Sequence, residues 1–435
     1  MARRSRREFL KSGGAGALAV GLAACAAPPA PSESPPTEPT PRAEPALAPT
    51  AVAKPAPKGG GRPTAGQRTL VVVQLSGGDD GLNMVVPYGD GLYYQLRPQL
   101  AIPADQALPL DGQLGLHPNL KAFKALYDQG RLALIQGVGY PNPSRSHFRS
   151  MEIWHTARPE GSADQGWLGA FMAQVYQANE SPFQCVNLGN SIPKAILTEY
   201  APTAAVQDTA TFQFLADRRL PAAREPLLKT FGQIYAKPSR RLPALDLVAQ
   251  AWDTAARGVS ILGSSAERYQ PAAQYPTSPF GKTLQQVAQM LAADLGTRVF
   301  YVSLGGFDTH ANEKPAHANL MSQVSDGLAA FYSDLEQMGR GEQVVVLGFS
   351  EFGRRVRENG SGGTDHGAAG PMFALGHGVK GGLYGDHPSL SNLDEGDLRH
   401  AVDFRSVYAT VLEDWLGVSS KSVLGASYDR LGFIA

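Results

Sequence analysis

Long apolar runs mark five segments of the chain as candidate strands. The segments 69–75, 132–136, 298–304 and 343–349 consist mostly of apolar residues, with few polar positions. Continuous runs of this length, rich in β-branched residues, are typical of strands buried on both faces of a parallel sheet. A shorter apolar segment, 371–375, is predicted as a further strand.

Segments with helical periodicity alternate with these runs. We predict helices at 120–129, 283–295 and 317–338, each ahead of a strand, and an amphipathic helix at 405–416. The apolar positions that the last helix should bury are Val407, Val411, Leu412 and Trp415. This alternation predicts a doubly wound α/β fold, with a mainly parallel sheet between helices. The less regular, Pro-rich stretch at about 182–278 predicts a helical insertion or cap over one edge.

The first 25 residues carry the features of an export signal. Paired arginines, Arg6 and Arg7, precede a short Gly/Ala-rich apolar stretch that ends in Leu-Ala-Ala-Cys at 22–25. This pattern predicts a twin-arginine signal, recognised by the Tat translocon, and a lipobox in which Cys25 is lipidated and anchors the protein to a membrane. The alternative is that Cys25 lies near an ordinary cleavage site. The protein is therefore expected in the periplasm or at the cell surface.

Composition divides the remaining chain into a tether and a folded body. Residues 26–67 are rich in Pro and Ala and contain almost no large apolar side chain, so we predict a disordered tether. Residues 68–435 are predicted to form one domain. Lys plus Arg and Asp plus Glu number 39 each, so no basic face points to nucleic acid. Apart from Cys25 the chain has one cysteine, Cys185, which excludes an intramolecular disulfide.

Candidate metal ligands follow the predicted strands. They are Asp80, Asp308, His310, Glu351, Asp365 and His366. The carboxyl ends of parallel strands line one crevice, so we expect these groups to converge there. Carboxylates and imidazoles without thiolates suit Zn²⁺, Mn²⁺, Fe or Mg²⁺. The alternative for any single one of them is a helix cap or a solvated side chain.

A candidate nucleophile follows the second predicted strand. Ser146, or Ser144 beside it, is expected at the N-terminus of a helix, where the helix dipole favours an alkoxide and an attached phosphate or sulfate. Arg145, His147 and Arg149 are placed to hold an anionic group. The alternative is that Ser146 serves only as a helix cap.

A second serine lies in a strand-to-turn context. The segment GFSEF at 348–352 is similar to a nucleophile elbow, but Phe352 stands where that motif requires glycine. A serine hydrolase that uses Ser350 and His366 is therefore the weakest of the hypotheses.

These residues resemble the DUF1501 family of exported bacterial proteins. The matching segments are SGGDDGLN at 76–83, SHF at 146–148, GGFDTH at 305–310, SEFGR at 350–354, TDHG at 364–367 and DFRSVYA at 403–409. The resemblance covers essentially the whole folded body. It implies the alkaline phosphatase/sulfatase superfamily fold, a three-layer α/β/α arrangement with a metal site at the carboxyl ends of the strands.

The resemblance also implies roles for individual residues. Asp80 looks like a ligand of one metal ion, and Ser146 like the nucleophile that opens a helix. Asp308 and His310 look like ligands of the other ion, and His366 like a final ligand from a later loop.

Three positions depart from the superfamily pattern. Glu351 takes the place of an aspartate ligand, and Phe352 takes the place of a histidine ligand. Asp365 is available as a substitute ligand, so the sequence is compatible with either one or two metal ions. The sulfatase nucleophile motif is incomplete because Pro141 stands at the nucleophile position.

The leading hypothesis is a metal-dependent hydrolase of small anionic phosphate or sulfate esters. Ser146 would attack, and Arg145 or Arg354 would hold the non-bridging oxygens. The competing hypothesis is an inactive protein of the same fold that serves as a binding scaffold at the cell surface.

Overall fold

The structure is a computed structural model that describes residues 68–176, 181, 183–209, 224–235, 258–259, 261–262 and 269–435. The predicted signal peptide with Cys25, the predicted tether at 26–67 and much of the predicted insertion at 182–278 lie outside the described residues. Within the described ranges, no helix is both long enough and apolar enough to cross a bilayer.

Strands in the described chain occur in the following order. They are β1 (Thr69–Ser76), β2 (Val85–Val86), β3 (Leu108–Pro109), β4 (Gly115–Leu116), β5 (Leu132–Gly139), β6 (Cys185–Asn187), β7 (Ala204–Ala205), β8 (Val299–Gly305), β9 (Val344–Phe349), β10 (Gly370–Leu375), β11 (Gly382–Tyr384), β12 (Leu393–Asp394), β13 (Asp397–Leu398) and β14 (Val402–Asp403).

Helices connect and cover these strands. They are α1 (Gly81–Met84), α2 (Gly91–Leu96), α3 (Lys121–Asp128), α4 (His147–Thr156), α5 (Trp167–Val175), α6 (Arg224–Tyr235), α7 (Pro279–Ala292), α8 (Glu313–Gln337), α9 (Phe404–Thr410) and α10 (Ser420–Leu424). Short 3₁₀ helices occur at Lys194–Ile196 and Gly341–Gln343, and a π-helical turn, Val411–Trp415, continues α9.

The central sheet is mixed and mainly parallel. Within the described residues it has nine strands, in the order β11-β5-β10-β9-β1-β8-β6-β7, with β14 beside β5. β1 lies between β8 and β9 and is parallel to both. β10 is antiparallel to its two neighbours, β9 and β5. The long apolar runs of the sequence therefore form the middle of the sheet.

Helices bury both faces of this sheet. One face packs with α4, α5 and α9 in a shared core that includes Leu70, Val72, Trp154, Phe171 and Tyr408. The opposite face packs with α3, α7 and α8 in a core that includes Val71, Val73, Phe123, Leu284 and Phe331. Burial of each large apolar side chain contributes about 1.5–3 kcal/mol. The predicted three-layer α/β/α fold is confirmed.

The sequence predictions hold for the long elements. Each predicted strand is present, and the predicted helices at 120–129, 283–295 and 317–338 correspond to α3, α7 and α8. The last predicted helix is α9 with its π-helical turn, and its four apolar positions are buried as expected. Short strands such as β6, β11 and β14 were not predicted, because two or three residues give no readable periodicity.

The polar loops meet at one edge of the sheet. Ser76 of β1 is paired with Gly305 of β8, and Gln74 is paired with Phe349 of β9, so these strands end together. β10 begins at this edge because it is antiparallel. Gly77 is required here: its φ is +124°, and a Cβ at this position would collide with the backbone nitrogen of Asp308.

Candidate metal centre

Three side chains come together at this edge and could hold a metal ion. His147, Asp308 and His366 each offer a ligand atom, and these atoms all lie within 4.8 Å of one another. His147 is the first residue of α4, Asp308 follows β8, and His366 precedes β10. We call these three residues the metal centre.

Asp308 lies at the middle of the metal centre. Its carboxylate is 2.9 Å from Nε2 of His366, 3.1 Å from Nε2 of His310 and 3.4 Å from Nε2 of His147. Buried Arg354 donates to the same carboxylate at 2.9 Å. Partial burial raises the pKa of Asp308, but hydrogen bonds from His366 and Arg354 outweigh it, so the pKa lies well below its usual value. The carboxylate is therefore ionised at neutral pH.

Outer hydrogen bonds fix the orientation of two imidazoles. Nδ1 of His366 is 2.8 Å from the carbonyl oxygen of Arg145, and Nδ1 of His147 is 2.9 Å from Oε1 of Glu351. Because both of these partners are acceptors, an imidazole that binds a metal ion through Nε2 would carry its proton on Nδ1. In that tautomer each ring directs the lone pair of Nε2 towards the space beside Asp308 that a cation would occupy.

The residues present fit a divalent cation. Within the described residues, Nε2 of His147 is buried without a hydrogen-bond partner, although it lies 3.4 Å from Asp308. Lone pairs that converge on a carboxylate repel unless a proton or a cation lies between them. Imidazole nitrogen and carboxylate oxygen are ligands of zinc and related ions, and such imidazoles usually donate their other N–H to a carbonyl or carboxylate.

Glu351 and Asp365, both predicted as metal ligands, occupy different places. Glu351 is buried behind His147, and its oxygens also accept hydrogen bonds from the backbone N–H of Gly77 at 2.9 and 3.1 Å. Asp365 is more exposed and is 3.4 Å from Nδ1 of His310. Glu351 therefore orients a ring of the metal centre, whereas Asp365 lies beside His310.

Asp80, also predicted as a ligand, belongs to a separate buried group. It forms an ion pair with Arg97 at 2.5 Å, with both side chains fully buried. Burial acts to raise its pKa, but the charge of Arg97 and the hydrogen bond with Glu313 lower it overall. Burial, followed by the charge of Asp80, raises the pKa of Glu313 to about 9. The hydroxyl of Thr364 donates to Glu313 at 2.6 Å.

The raised pKa of Glu313 makes stability depend on pH. The folded protein keeps a proton on Glu313 that the unfolded chain releases near its ordinary pKa of 4.5. The folded state therefore loses up to about 1.4 kcal/mol of unfolding free energy per pH unit as the pH rises from 4.5 towards 9. In Glu313→Gln we expect this loss to be absent, so the variant becomes more stable than wild type above pH 7.

Thermal unfolding between pH 5 and pH 9 measures this difference. Glu199→Gln, which changes an exposed carboxylate, is the matched control and should follow the wild-type pH profile. Parallel profiles for wild type and Glu313→Gln would show that Glu313 does not hold the extra proton.

The serine-hydrolase hypothesis finds no support in the contacts of Ser350. Its hydroxyl donates to the carbonyl oxygen of Leu75 at 2.6 Å and accepts from the backbone N–H of Asp79 at 2.9 Å. Nε2 of His366 faces Asp308 instead. Ser350 thus joins the loops that follow β1 and β9.

Ser146 is an exposed residue at the N-terminus of α4. It is the N-cap, yet in this described region its side chain makes no capping hydrogen bond. The next residue, His147, belongs to the metal centre. The predicted capping role of Ser146 therefore has no hydrogen bond behind it among the described residues, and its nucleophile role stays a prediction.

The two arginines predicted to hold substrate oxygens are engaged elsewhere. The guanidinium of Arg145 contacts Oδ2 of Asp397 through Nε at 2.7 Å and Nη2 at 2.6 Å. Arg354 is buried and donates to Asp308 and to the carbonyl oxygens of Gly77, Gly78, Phe307 and Thr364. Arg354 therefore holds the loops of the centre together.

His147 was not predicted from the sequence as a metal ligand but as a residue that could hold an anionic group. Its one sequence signal is its position at the start of a helix that follows a strand of the sheet. Phe352, which was predicted to take the place of a histidine ligand, packs against the centre. Its ring lies 5.0 Å from the ring of His147 and 4.6 Å from that of His366. Phe352 supplies an apolar wall instead of a ligand.

Comparison with known proteins identifies the family. The family model described as protein of unknown function (DUF1501) matches residues 67–429, and the chain belongs to this family. No curated protein matches the chain.

Several solved structures are similar in fold. One is the PsFucS1 sulfatase from Pseudoalteromonas sp., with 11% identity and a TM-score of 0.38, covering 85% of this chain and 72% of that chain. A second is a protein in the alkaline phosphatase superfamily from Vibrio parahaemolyticus, with 8% identity, a TM-score of 0.38 and coverage of 83% and 69%. A third is the phosphonate monoester hydrolase of Agrobacterium radiobacter, with 9% identity, a TM-score of 0.37 and coverage of 83% and 78%.

Proposed function

We propose that the protein is an exported, metal-dependent hydrolase of small phosphate or sulfate esters. The observation that carries the proposal is the convergence of three imidazole Nε2 atoms on the carboxylate of Asp308, within 3.4 Å. The ligands are His147, Asp308 and His366, with His310 beside them. The resemblance to the alkaline phosphatase superfamily supplies the substrate class.

The contacts favour one metal ion over two. Asp80, the candidate ligand for a second ion, is neutralised by Arg97. Phe352 fills the position of another ligand with an apolar ring that is 3% exposed. The donor set accommodates Zn²⁺, Mn²⁺ or Fe, and its histidines make Mg²⁺ the poorest fit.

Each part of the site has a role in ester cleavage. A metal ion in such a site stabilises developing negative charge and favours ionisation of a nearby hydroxyl. Ser146 attacks phosphorus or sulfur in line and gives its hydroxyl proton to water. The bond to the ester oxygen breaks on the opposite side, and the departing oxygen takes a proton from water. The N-terminus of α4 favours negative charge on Ser146 and on the group it accepts. Water then releases phosphate or sulfate and regenerates the serine.

Removal of the nucleophile separates catalysis from metal binding. In Ser146→Ala we expect ester hydrolysis to fall by about 10³-fold or more, with metal content unchanged, because the hydroxyl is the attacking group. The measurement is the hydrolysis rate of an aryl phosphate and an aryl sulfate ester, together with elemental analysis of the same preparations.

Ser144→Ala is the matched control for this substitution. It removes a hydroxyl two residues away and should retain the rate within about tenfold, since the loss of one neutral hydrogen bond is about 1 kcal/mol. A Ser146→Ala protein that hydrolyses esters at the wild-type rate would rule out Ser146 as the nucleophile.

We also propose that the protein is exported through the Tat translocon and anchored by a lipid on Cys25. The described chain begins at Arg68, next to the amino end of β1. The metal centre lies at the opposite end of β1, about 25 Å along the strand. The predicted tether would therefore join the folded body at the end of β1 that is remote from the metal centre.

A binding scaffold is the second candidate function. Phe352 favours it, because that ring occupies the position of a superfamily ligand and packs on both imidazoles of the centre. A scaffold would retain the fold and would hydrolyse neither class of ester in the presence of added metal.

A further inference from the structure

Arg145 connects the metal centre to a hairpin outside it. Its carbonyl oxygen accepts the hydrogen bond from Nδ1 of His366 at 2.8 Å. Its guanidinium binds Asp397 of β13, at 2.7 Å from Nε and 2.6 Å from Nη2. One residue therefore contacts a candidate ligand through its backbone and the β12–β13 hairpin through its side chain.

Asp397 is a buried carboxylate between two arginines. The residue is 1% exposed, whereas the Arg145 side chain is 36% exposed. Nε of Arg355 lies 3.7 Å from its other oxygen. The backbone N–H of Arg355 donates to the carbonyl oxygen of Asp365, the residue before His366. Both arginines thus join Asp397 to segments that adjoin His366.

The carbonyl of Arg145 depends on such tertiary contacts for its position. It lies in the irregular segment 140–146 between β5 and α4, where no ladder of backbone hydrogen bonds holds the chain. Asn142 in this segment has a positive φ of 54°, and the backbone N–H of Ser144 is held by the hydroxyl of Tyr140. The ion pair with Asp397 is the shorter and more buried of the two charged contacts that hold the end of the segment.

We propose that Asp397 is a positioning residue for the metal centre. Through Arg145 it holds the carbonyl that accepts from Nδ1 of His366, which favours the tautomer whose Nε2 can bind a metal ion. Within the described residues, the hydrogen bond and ion pairs of Asp397 go to Arg145 and Arg355 and to none of the three ligands. The expected effect on metal affinity rests on the proposed function. The contacts of Asp397 with Arg145 do not.

Neutralisation of Asp397 tests the inference. In Asp397→Asn the side chain keeps its shape but loses the charge that binds Arg145, so the tautomer of His366 that donates from Nε2 to Asp308 should gain population. Loss of an outer partner of a metal-binding histidine typically weakens metal binding 10- to 100-fold. We expect that loss for Zn²⁺, measured by competition with a chelator, and a shifted tautomer ratio in the ¹⁵N NMR spectrum of His366 in the metal-free protein.

Glu395 provides a matched control on the same guanidinium. Its carboxylate lies 3.4 Å from Nη2 of Arg145, but its side chain is 78% exposed. Surface ion pairs of this kind contribute little, so Glu395→Gln should keep wild-type zinc affinity within about twofold and the wild-type tautomer ratio. An equal loss in both variants would overturn the role of Asp397, as would wild-type behaviour of Asp397→Asn.

Two further results separate the possible failures. If wild type binds no zinc, the proposed function fails, while the tautomer ratio of metal-free Asp397→Asn still tests the positioning role. If Asp397→Asn does not fold, Arg145→Lys replaces it, because lysine keeps the charge but not the two-point contact. An intermediate tautomer shift in Arg145→Lys supports the inference, and an unchanged ratio contradicts it.

Discussion

Asp308→Asn is expected to lose bound metal and ester hydrolysis together. The carboxylate of Asp308 is the group on which the Nε2 atoms of His147, His310 and His366 converge. Asparagine keeps an oxygen that accepts the hydrogen bond from Arg354, so the fold is retained, but it removes the charge that a cation requires. A metal ion supplies several kcal/mol of transition-state stabilisation, so hydrolysis should fall by about a hundredfold or more.

Asp365→Asn is the matched control for Asp308→Asn. Asp365 is close in sequence to His366, but its side chain is 58% exposed and it contacts His310 at 3.4 Å. We expect this variant to retain metal and most activity, as measured by elemental analysis and ester hydrolysis. Asp308→Asn with wild-type metal content would contradict the assignment of Asp308, and loss of metal in Asp365→Asn would add that residue to the ligands.

Arg97→Ala is expected to cause the largest loss of stability among the substitutions considered. Arg97 pairs with Asp80 in a fully buried contact and also donates to the carbonyl oxygens of Arg355 and Val356 at 2.8 Å. Alanine leaves the charge of Asp80 buried beside Glu313 without a cation. Removal of one partner from a buried ion pair typically costs about 3–5 kcal/mol of unfolding free energy.

Chemical denaturation measures this loss, and an exposed pair provides the control. Arg340 contacts Asp294 at 3.0 Å, but Asp294 is 73% exposed, so Arg340→Ala should cost less than about 1 kcal/mol. Equal changes for Arg97→Ala and Arg340→Ala would show that the buried pair contributes no more than a surface pair. Glu313→Gln in the Arg97→Ala background should recover part of the loss, since it removes one of the two adjacent carboxyl groups.

The buried sheet could be predicted because its signal is local. The runs that form β1, β5, β8 and β9 are mostly apolar, with few polar positions, and this pattern is typical of strands with both faces covered. The direction of β10 follows from the absence of a helix in the described segment between β9 and β10. Without a crossover helix the chain returns at the same edge, so β10 is antiparallel.

The sequence predicted which edge of the sheet carries the metal centre, but not which side chains contact each other there. Asp308, His310 and His366 were predicted from their positions after strands or near a strand start, and the structure brings them within hydrogen-bonding distance. Asp80 and Glu351 gave the same sequence signal. Their partners are Arg97 for Asp80, and His147 and Gly77 for Glu351. The partners of Glu351 are more than 200 positions away, and spacing along the chain does not encode such contacts.

His147 shows why a metal ligand can be missed when only the sequence is known. A histidine in the first turn of a helix resembles a solvated residue, and its role depends on which nitrogen faces the centre. That orientation is set by Glu351, which lies 204 positions further along the chain. The position of the Arg145 carbonyl likewise depends on Asp397, 252 positions away. Ligand orientation is thus a tertiary property of this fold.

The metal content of the full chain, purified without chelator, tests the central claim most directly. Elemental mass spectrometry after gel filtration should find about one equivalent of Zn, Mn or Fe in wild type. The same metal should be lost from His147→Ala and retained in His117→Ala, which changes a buried histidine outside the metal centre. Absence of metal in wild type after reconstitution with each ion, or equal metal in His147→Ala, would contradict a metal centre formed by His147, Asp308 and His366.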